Sequence, residues 1–430
     1  MTFKIGLLGF GTVGTGTAEI ILDPEGRNSL LQDIEIAKVG VRSLDHPRTL
    51  QLAPGVLTTD LAAIVTDPEI EIVVELLGGL EPARSLILQA IEHGKHIVTA
   101  NKAVIARHGE EIFTAANQAG VYVLLEAAVG GGIPVIKPLK QSLGVNRLQT
   151  VVGIINGTTN YILTQMTEAG ADFDQVLAEA QQLGYAEANP AADVDGYDAA
   201  DKIAILAAIA FNGRIKREEI PCEGIRQITA TDISYADNLG FVIKLLAIAK
   251  ANADNDSLQV RVHPTLVAKD HPLANVKGVY NAILVEGDPL GQVMLYGPGA
   301  GKGATASAVV SDIVNIVGFL QTNQETRKLD PMLRCSHDHF KQLTPIAEIY
   351  SRFYARFLCQ DVSGVIGHLG TTFGNHNVSL ESVVQIGFRD HLAEIVVVTH
   401  DVQEGNFRQA LEEIKSLASI DSIPSILRVL

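Results

Sequence analysis

The chain has 430 residues and a formal net charge of −16, from 33 Lys and Arg against 49 Asp and Glu. Only 19% of the residues are charged and 47% are hydrophobic, which excludes long disordered stretches and predicts about two to four domains with their own cores. The excess of acidic residues argues against nucleic acid or an anionic membrane as a partner, because both need a basic face.

The three cysteines lie far apart, at Cys222, Cys335 and Cys359, without a CxxC pair. This spacing excludes a disulfide framework and a cysteine zinc site. No apolar run approaches the roughly 18 residues of a membrane span, and glycines break the apolar N-terminus. We therefore predict a soluble, cytoplasmic protein.

The first 130 residues alternate short, β-branched strands with helices, which is typical of a doubly wound parallel sheet. The predicted strands are Lys4–Leu8, Ile34–Val41, Ile70–Leu77, His96–Ala100 and Val121–Val129, and the predicted helices cover 12–22, 82–93 and 103–119. Residues 1–130 are thus predicted to form a Rossmann domain that binds NAD(P).

Longer helices mixed with strands predict a second, α/β domain over 131–330, followed by a polar linker over 331–348. The predicted helices there are Asp174–Leu183, Asp198–Phe211 and Thr305–Leu320, and the predicted strands are Leu148–Ile155, Leu258–Val262 and Tyr280–Val285. Residues 349–430 show the order βαββαβ, which predicts a ferredoxin-like unit.

A GxGxxG motif directly follows the first strand and opens a helix. It consists of Gly9, Phe10, Gly11, Thr12, Val13 and Gly14. The first glycine permits a tight turn, the second lets a pyrophosphate approach, and the third allows close packing of helix and strand. The motif predicts a dinucleotide site.

The end of the second strand carries Arg42 where an NAD-type site expects a carboxylate. A guanidinium there suits the 2′-phosphate of NADP, so we predict NADP with NAD tolerated; the alternative is an ordinary exposed arginine. Lys102 follows the fourth strand, at the sheet edge where ligands bind in such folds. It either meets the nicotinamide region or a substrate carbonyl, or is a surface lysine that starts a helix.

The densest polar run of the chain extends from Glu187 to Lys202. Asp198 and Lys202 are four residues apart at the start of a predicted helix, so their side chains share one helix face. Lysine beside a carboxylate can donate a proton to a carbonyl oxygen as hydride reaches the carbon, and Glu187 and Asp198 are suited to hold an ammonium or hydroxyl group. The alternative is a solvated helix start with an ordinary ion pair.

Two further loops have the composition of ligand sites. The segment Gly153–Tyr161 ends a strand and starts a helix, where the N–H groups of Gly157 and Thr158 are suited to a carboxylate. The glycine-rich segment 297–303 lacks the Ser or Thr of an NTPase loop, and we predict that it forms a lid that returns to the cofactor.

Several of these segments together resemble homoserine dehydrogenase. The resemblance rests on GFGTVG, TANKA, EAAVGGGIP at Glu126–Pro134, GIINGTTNYIL, YAEANPAADVDGYDAADK and YGPGAGKGATASAVVSDI. The C-terminal unit resembles the amino-acid-sensing ACT domain.

The resemblance implies NAD(P)-dependent interconversion of L-homoserine and L-aspartate 4-semialdehyde, in the synthesis of threonine, methionine and isoleucine. It implies that Lys202 is the proton donor and Lys102 a second active-site lysine. It also places Glu187 and Asp198 at homoserine-binding positions; the implied cofactor contacts include Gly184 and Gly301.

Three further properties follow only from the resemblance. A monovalent cation, Na⁺ or K⁺, is expected to bind the carboxylate of Glu126 and the backbone carbonyls of Val129, Gly131 and Ile133. A dimer or tetramer is expected to form through the middle domain. Threonine is the expected effector at the ACT domain.

Two other functions stay open on the sequence. One is a catalytically silent amino-acid sensor, although an inactive protein does not need the pattern of Glu187, Asp198 and Lys202. The other is a different Rossmann semialdehyde oxidoreductase. An acyl-enzyme mechanism would need a nucleophilic cysteine, and Cys222 has no base beside it in the sequence.

Overall fold

The structure is a computed structural model that describes residues 2–253, 256–322, 329–337, 339–389 and 391–430. Part of the predicted linker, Asp338, and residues 323–328 before it lie outside the described residues. The chain folds into two compact units, neither of them continuous in sequence. The first contains the chain up to Val151, Asp201–Glu219 and Tyr280–Lys341; the second contains Val152–Ala200, Ile220–Val279 and Gln342–Leu430.

The secondary structure is mixed throughout. The strands are β1 Phe3–Leu8, β2 Ile34–Gly40, β3 Leu57–Thr58, β4 Ile72–Glu75, β5 His96–Thr99, β6 Val123–Leu124, β7 Arg147–Ile154, β8 Phe241–Ala251, β9 Ser257–Ala268, β10 Tyr280–Asp288, β11 Gly291–Pro298, β12 Gln342–Leu343, β13 Tyr350–Gln360, β14 Leu380–Arg389, β15 Leu392–Thr399, β16 Val402–Gln403 and β17 Ile420–Val429. The helices are α1 Thr12–Leu22, α2 Leu61–Thr66, α3 Ala83–Glu92, α4 Lys102–Ala119, α5 Ile136–Lys140, α6 Gly157–Ala169, α7 Phe173–Gln182, α8 Ala191–Val194, α9 Tyr197–Ala210, α10 Ala230–Asn238, α11 Lys302–Thr322, α12 Val365–Asn375 and α13 Glu404–Lys415.

The first unit contains the predicted doubly wound sheet, with the parallel order β3-β2-β1-β4-β5-β6. β2 and β4 lie on opposite sides of β1, so the direction in which strands are added to the sheet reverses there. The β1–α1 turn lies at this switch point, where ligands bind in such sheets. The strands of the sheet centre are mostly apolar and almost fully buried, as strands covered by helices on both faces should be.

The predicted strand Val121–Val129 is wrong in its length. Only Val123–Leu124 pairs with β5, and a 3₁₀ turn follows at Glu126–Ala128. The chain turns here because the buried Glu126 carboxylate accepts backbone N–H groups at the start of α5, from residues 135–137. Apolar composition alone could not predict that a buried carboxylate ends the strand here.

Helix α11 completes the core of the first unit. By length and composition it is the one helix of the described residues that could cross a membrane. Its residues Val309, Ile313 and Val317 are fully buried and belong to the same apolar cluster as Leu7 of β1. The helix therefore covers the Rossmann sheet.

The second unit contains a mixed sheet with the order β8-β9-β17-β13-β15-β14. From Tyr350 onward, apart from the two-residue strand β16, the elements follow as β13-α12-β14-β15-α13-β17, which confirms the predicted βαββαβ order. Its core is aromatic: Phe353 and Phe407 stack with ring centroids 4.1 Å apart, and Phe373 packs beside them.

Candidate active site

The glycine motif forms the turn between β1 and α1. Gly9 has φ 108°, a left-handed conformation that favours glycine, and its N–H donates to Gly40 O at 3.1 Å. A Cβ on Gly14 would overlap the carbonyl of Gly9, so only glycine fits that close approach. A Cβ on Gly11 would meet nothing within 4 Å. The turn thus leaves open space at Gly11, beside the free N–H groups of the α1 N-terminus, as a bound pyrophosphate requires.

The segment after β2 presents Arg42 to solvent. Arg48 holds the loop that follows, because its guanidinium donates to the carbonyls of Ser43, Leu44 and His46. The Leu44 and His46 bonds measure 2.9 and 2.8 Å. Arg42 therefore stands next to an ordered loop, on the same sheet edge as the glycine turn.

A buried carboxylate that the sequence analysis missed organises the edge near Lys102. Glu75, fully buried at the end of β4, accepts Thr99 Oγ1 at 2.7 Å and Leu77 N at 2.8 Å. Asn101 caps α4 by accepting Val104 N at 3.2 Å, which places Lys102 at the first position of that helix. The sequence does contain a sign of this role, because Glu75 is an acidic residue at the end of an otherwise apolar strand.

The glycine-rich loop 297–303 lies against the dinucleotide helix in the first unit. Lys302 Nζ forms an ion pair with Glu19 Oε1 at 2.5 Å. A Cβ on Gly16 would lie 2.9 Å from Lys302 Cγ and 3.0 Å from the Cβ of Ala306, so α1 and α11 approach closely there. Gly301 has φ 117° and turns the chain just before α11.

Two acidic side chains of the second unit meet on one amide. Asn156 caps α6, accepting Thr159 N at 2.9 Å through its Oδ1. Its Nδ2 donates to Asp193 Oδ1 at 2.7 Å and to Asp198 Oδ2 at 2.9 Å. Asp198 is 6% exposed. Sequence reasoning missed Asn156 as a site residue, although it opens the same helix as Gly157 and Thr158.

The predicted carboxylate cradle lies at this helix start. Gly157 and Thr158 are the first residues of α6, and Thr158 Oγ1 donates to Tyr185 O at 2.7 Å. The segment behind it begins at Gly184, with φ 77°, and leads to Glu187, which is exposed. These residues all belong to the second unit.

The remaining acids of the polar run have structural partners. Asp195 pairs with Arg226 at 2.5 Å. In the first unit, Asp201 pairs with Arg217 at 2.6 Å and with Arg107 at 3.0 Å. Asp201 is buried, and buried charges are usually compensated in this way. Asp195 and Arg226 form a partly exposed pair, and both acids are better explained by ion pairing than by catalysis.

Asp198 and Lys202 are both on α9, one helical turn apart. Both side chains are buried, with 6% and 9% exposure. This confirms the predicted helix there, on which a spacing of four places two side chains on the same face. The division between the two units falls within this helix, after Ala200.

Glu126 was predicted to bind a cation. Its Oε1 accepts Val135 N at 2.7 Å and Ile136 N at 2.8 Å, and its Oε2 accepts Lys137 N at 3.0 Å. The carboxylate therefore caps a helix. Within the described ranges no group of three or more His, Cys, Asp or Glu side chains is placed to hold a metal.

Comparisons with known proteins agree along the whole chain. Family models match residues 9–126 as the homoserine dehydrogenase NAD-binding domain, 134–314 as homoserine dehydrogenase and 353–419 as an ACT domain. A homoserine dehydrogenase of Synechocystis sp. is 71% identical, covering 100% of both chains. The crystal structure of a homoserine dehydrogenase from Thiobacillus denitrificans is 42% identical and superposes with a TM-score of 0.91, covering 100% of this chain and 98% of that one.

A more distant structure adds a bound cofactor. It is a hyperthermophilic archaeal homoserine dehydrogenase in complex with NADPH, 27% identical, with a TM-score of 0.61 over 73% of this chain and 97% of that one. The matches to the family models extend from the dinucleotide turn into the C-terminal unit. The chain belongs to the homoserine dehydrogenase family, with an NAD-binding domain and a C-terminal ACT domain.

Proposed function

We propose that the chain catalyses the reversible NAD(P)-dependent interconversion of L-homoserine and L-aspartate 4-semialdehyde, in the synthesis of threonine, methionine and isoleucine. The observation that best supports the substrate site is the group formed by Asn156, Asp193 and Asp198, with two carboxylates on one amide. Such a group can receive an ammonium ion, which the substrate carries.

The proposed roles follow from the chemistry of each side chain. When bound, the nicotinamide supplies a hydride to the aldehyde carbon. The ammonium group of Lys202 donates its proton to the carbonyl oxygen, which takes up the electron pair of the C=O bond. Asp198 and Glu187 hold the substrate ammonium, and the N–H groups of Gly157 and Thr158 receive its carboxylate.

Lys102 is proposed to act beside the nicotinamide. Its support is its position as the first residue of α4, at the carboxyl edge of the parallel sheet. Lysine there adds positive charge where the substrate oxygen becomes negative.

NADP is the proposed cofactor, with NAD tolerated. The turn at Gly9–Gly14 fits the pyrophosphate, Gly184 and Gly301 are proposed as further contacts, and Arg42 is proposed to bind the 2′-phosphate. An exposed guanidinium beside an ordered loop is suited to a phosphate. The NADPH bound by the archaeal relative is consistent with this choice.

A monovalent cation, Na⁺ or K⁺, is proposed at Glu126 with the carbonyls of Val129, Gly131 and Ile133. A carboxylate oxygen can accept two partners, and Glu126 Oε2 has one N–H donor against two for Oε1. Gly131 has φ 55°, so the backbone turns within this segment. Oxygen ligands of this kind suit a hard cation.

Regulation and assembly are proposed on separate features. In the C-terminal unit a cavity of about 150 Å³ lies between the start of α12 and the sheet, lined by Asp361, Gly364 and Gln385 among others, and threonine is the proposed ligand. Tyr280, Met294 and Tyr296 are exposed on the β10–β11 hairpin and support a dimer through this region. We also propose the domain limits 1–130, 131–330 and 349–430, with 331–348 as a linker, and a cytoplasmic location.

The test is steady-state kinetics of homoserine oxidation with NADP and with NAD, measured with Na⁺ or K⁺ and with or without threonine. Homoserine-dependent reduction of NADP is expected, with threonine lowering the rate. Binding of cofactor and threonine without turnover would instead favour a silent sensor. Turnover of a different semialdehyde, with none of homoserine, would favour another oxidoreductase.

A further inference from the structure

The last strand of the chain carries a buried arginine that joins two acids of the second unit. Arg428 of β17 is 4% exposed, and its guanidinium donates to Glu404 Oε2 at 2.9 Å and Oε1 at 2.5 Å. The same guanidinium donates to both carboxylate oxygens of Glu223, each at 2.9 Å. A bidentate pair of this kind fixes geometry as well as charge.

Glu223 differs from its partners in exposure. Its side chain is 46% exposed, whereas those of Glu404 and Arg428 are 3% and 5% exposed. Arg408 Nη2 also reaches Glu223, at 3.2 Å. Burial opposes ionisation of Glu223, but the hydrogen bonds and charges of the two arginines outweigh it and hold its pKa below the ordinary value. Glu223 is therefore ionised at neutral pH and attached to the ACT domain.

The segment around Glu223 packs directly on the loop that precedes α9. Ile225 N donates to Val194 O at 2.8 Å. A Cβ on Gly224 would overlap the carbonyl of Val194, so the two backbones touch with no room for a methyl group. Cys222 Sγ contacts Asp195 O at 3.3 Å. A shift of this segment would therefore carry residues 193–195 with it.

Residues 193–195 include Asp193, an acid of the proposed substrate site. Asp193 precedes Val194 in the one-turn helix α8, and its carboxylate shares the amide of Asn156 with Asp198. Continuous contacts thus lead from Arg428 through Glu223 and Val194 to the paired carboxylates. Every residue of this series lies in the second unit.

We propose that Glu223 is a positioning residue through which the ACT domain's Arg428 sets the placement of Asp193 and Asp198 for the substrate ammonium. The inference rests on the proposed function of Asp198. It makes the C-terminal domain part of the support of the substrate site even without an effector. Because the contacts end at the carboxylates that are proposed to hold the substrate ammonium, substrate binding should change more than proton transfer.

The test compares Glu223→Gln, Arg428→Lys and the double variant in the full-length enzyme. Glu223 is half-exposed and the glutamine is isosteric, so this variant is expected to fold. The KM for homoserine should rise about 2- to 30-fold in each single variant, while kcat and the KM for NADP change less than about twofold. The double variant should raise the homoserine KM no more than Arg428→Lys alone, because both changes break the Arg428–Glu223 pair and only Arg428→Lys also alters the pair with Glu404.

Lys415→Gln is the matched control, because it removes an exposed ion pair of α13 with Glu412 that does not touch Glu223. Amide hydrogen exchange of residues 191–198 gives a readout independent of activity, and it should quicken in Glu223→Gln but not in Lys415→Gln. Unchanged homoserine KM and exchange in Glu223→Gln would overturn the proposal. Asp198→Asn separates the two hypotheses, since normal homoserine KM in that variant would refute the substrate site itself.

Discussion

Asn156 Nδ2 lies 2.9 Å from Asp198 Oδ2 and donates to it, while the same nitrogen donates to Asp193 at 2.7 Å. One neutral amide therefore holds two acids that would otherwise repel each other. It also fixes them relative to the first turn of α6, because Asn156 caps that helix. The shared amide explains how the two carboxylates can lie close together.

Asn156→Asp should impair homoserine use. The new carboxylate can still cap α6, but it replaces the shared donor with a third negative charge. The expected loss in kcat/KM at pH 7 is about 10- to 100-fold. The deficit should shrink toward pH 5, where a protonated carboxyl can donate again, and a pH profile of kcat/KM measures this.

The control for that change is Asn146→Asp, in which the lost bond goes to a single carbonyl, Leu143 O. It should leave the homoserine kinetics as in the wild type. A kcat/KM for Asn156→Asp within twofold of wild type at pH 7 would show that the shared amide has no part in substrate binding.

Gly11→Ala and Gly14→Ala should separate cofactor binding from folding. Gly11 has φ −80° and open space around it, so alanine is tolerated in the free protein but projects toward the bound phosphates. Its KM for NADP should rise at least about tenfold with an unchanged Tm. Gly14→Ala should lower stability by about 1–3 kcal/mol, because its Cβ overlaps Gly9 O.

Thermal unfolding without cofactor and KM for NADP, measured on both variants, check this pair. A lower Tm in Gly11→Ala than in Gly14→Ala would contradict the geometry.

Lys202→Ala should reduce kcat by about 100- to 10,000-fold, the usual contribution of a general acid. Lys202→Arg should not restore it, because a guanidinium does not release its proton near neutral pH. The KM for NADP should stay unchanged in both variants. Lys216→Ala, which removes an exposed pair with Glu219, is the control; a normal kcat for Lys202→Ala would exclude it as proton donor.

The sequence predicted those parts of the fold and site whose signal is local. The glycine turn needs only residues 9–14 between a strand and a helix, and the βαββαβ order of the last unit follows from its apolar pattern. Asn156 could not be found in this way, since its two acidic partners are 37 and 42 residues away. Its importance arises only when the chain folds.

Distant partners also explain why the sequence analysis could not distinguish the acids of the polar run from one another. In sequence, Asp201 and Asp198 look equivalent at the start of one helix. In the structure Asp201 pairs with Arg107, 94 residues away, and with Arg217. Partners at such separations cannot be read from spacing, so sequence reasoning could not separate carboxylates that form structural ion pairs from those proposed to bind the substrate.

Arg42→Ala should change the choice of cofactor. If Arg42 binds the 2′-phosphate, its loss should raise the KM for NADP about 10- to 100-fold and leave the KM for NAD within about twofold. Arg27→Ala removes an exposed arginine that pairs with Asp23 and should affect neither. An equal loss with both cofactors would refute the 2′-phosphate role.

Asp312 should make stability depend on pH. It is 1% exposed, accepts Glu126 N at 2.7 Å and lies 3.1 Å from Lys137 Nζ. Burial raises the pKa of Asp312 to about 6, against the opposing charge of Lys137. Because the folded pKa exceeds the unfolded value of about 4, the folded state binds this proton more tightly. The resulting stabilisation is complete below about pH 4 and lost as the pH rises through about 6.

Asp312→Asn removes this titration while keeping an acceptor for Glu126 N. The stability of the variant relative to wild type should therefore increase between about pH 4 and 7, by up to about 3 kcal/mol, and stay level above that range. Thermal unfolding of both proteins across pH 4.5–8 measures the difference, with the exposed Asp401→Asn as control. Parallel Tm curves for Asp312→Asn and wild type would show that the buried carboxyl has the same proton affinity in the folded and unfolded states.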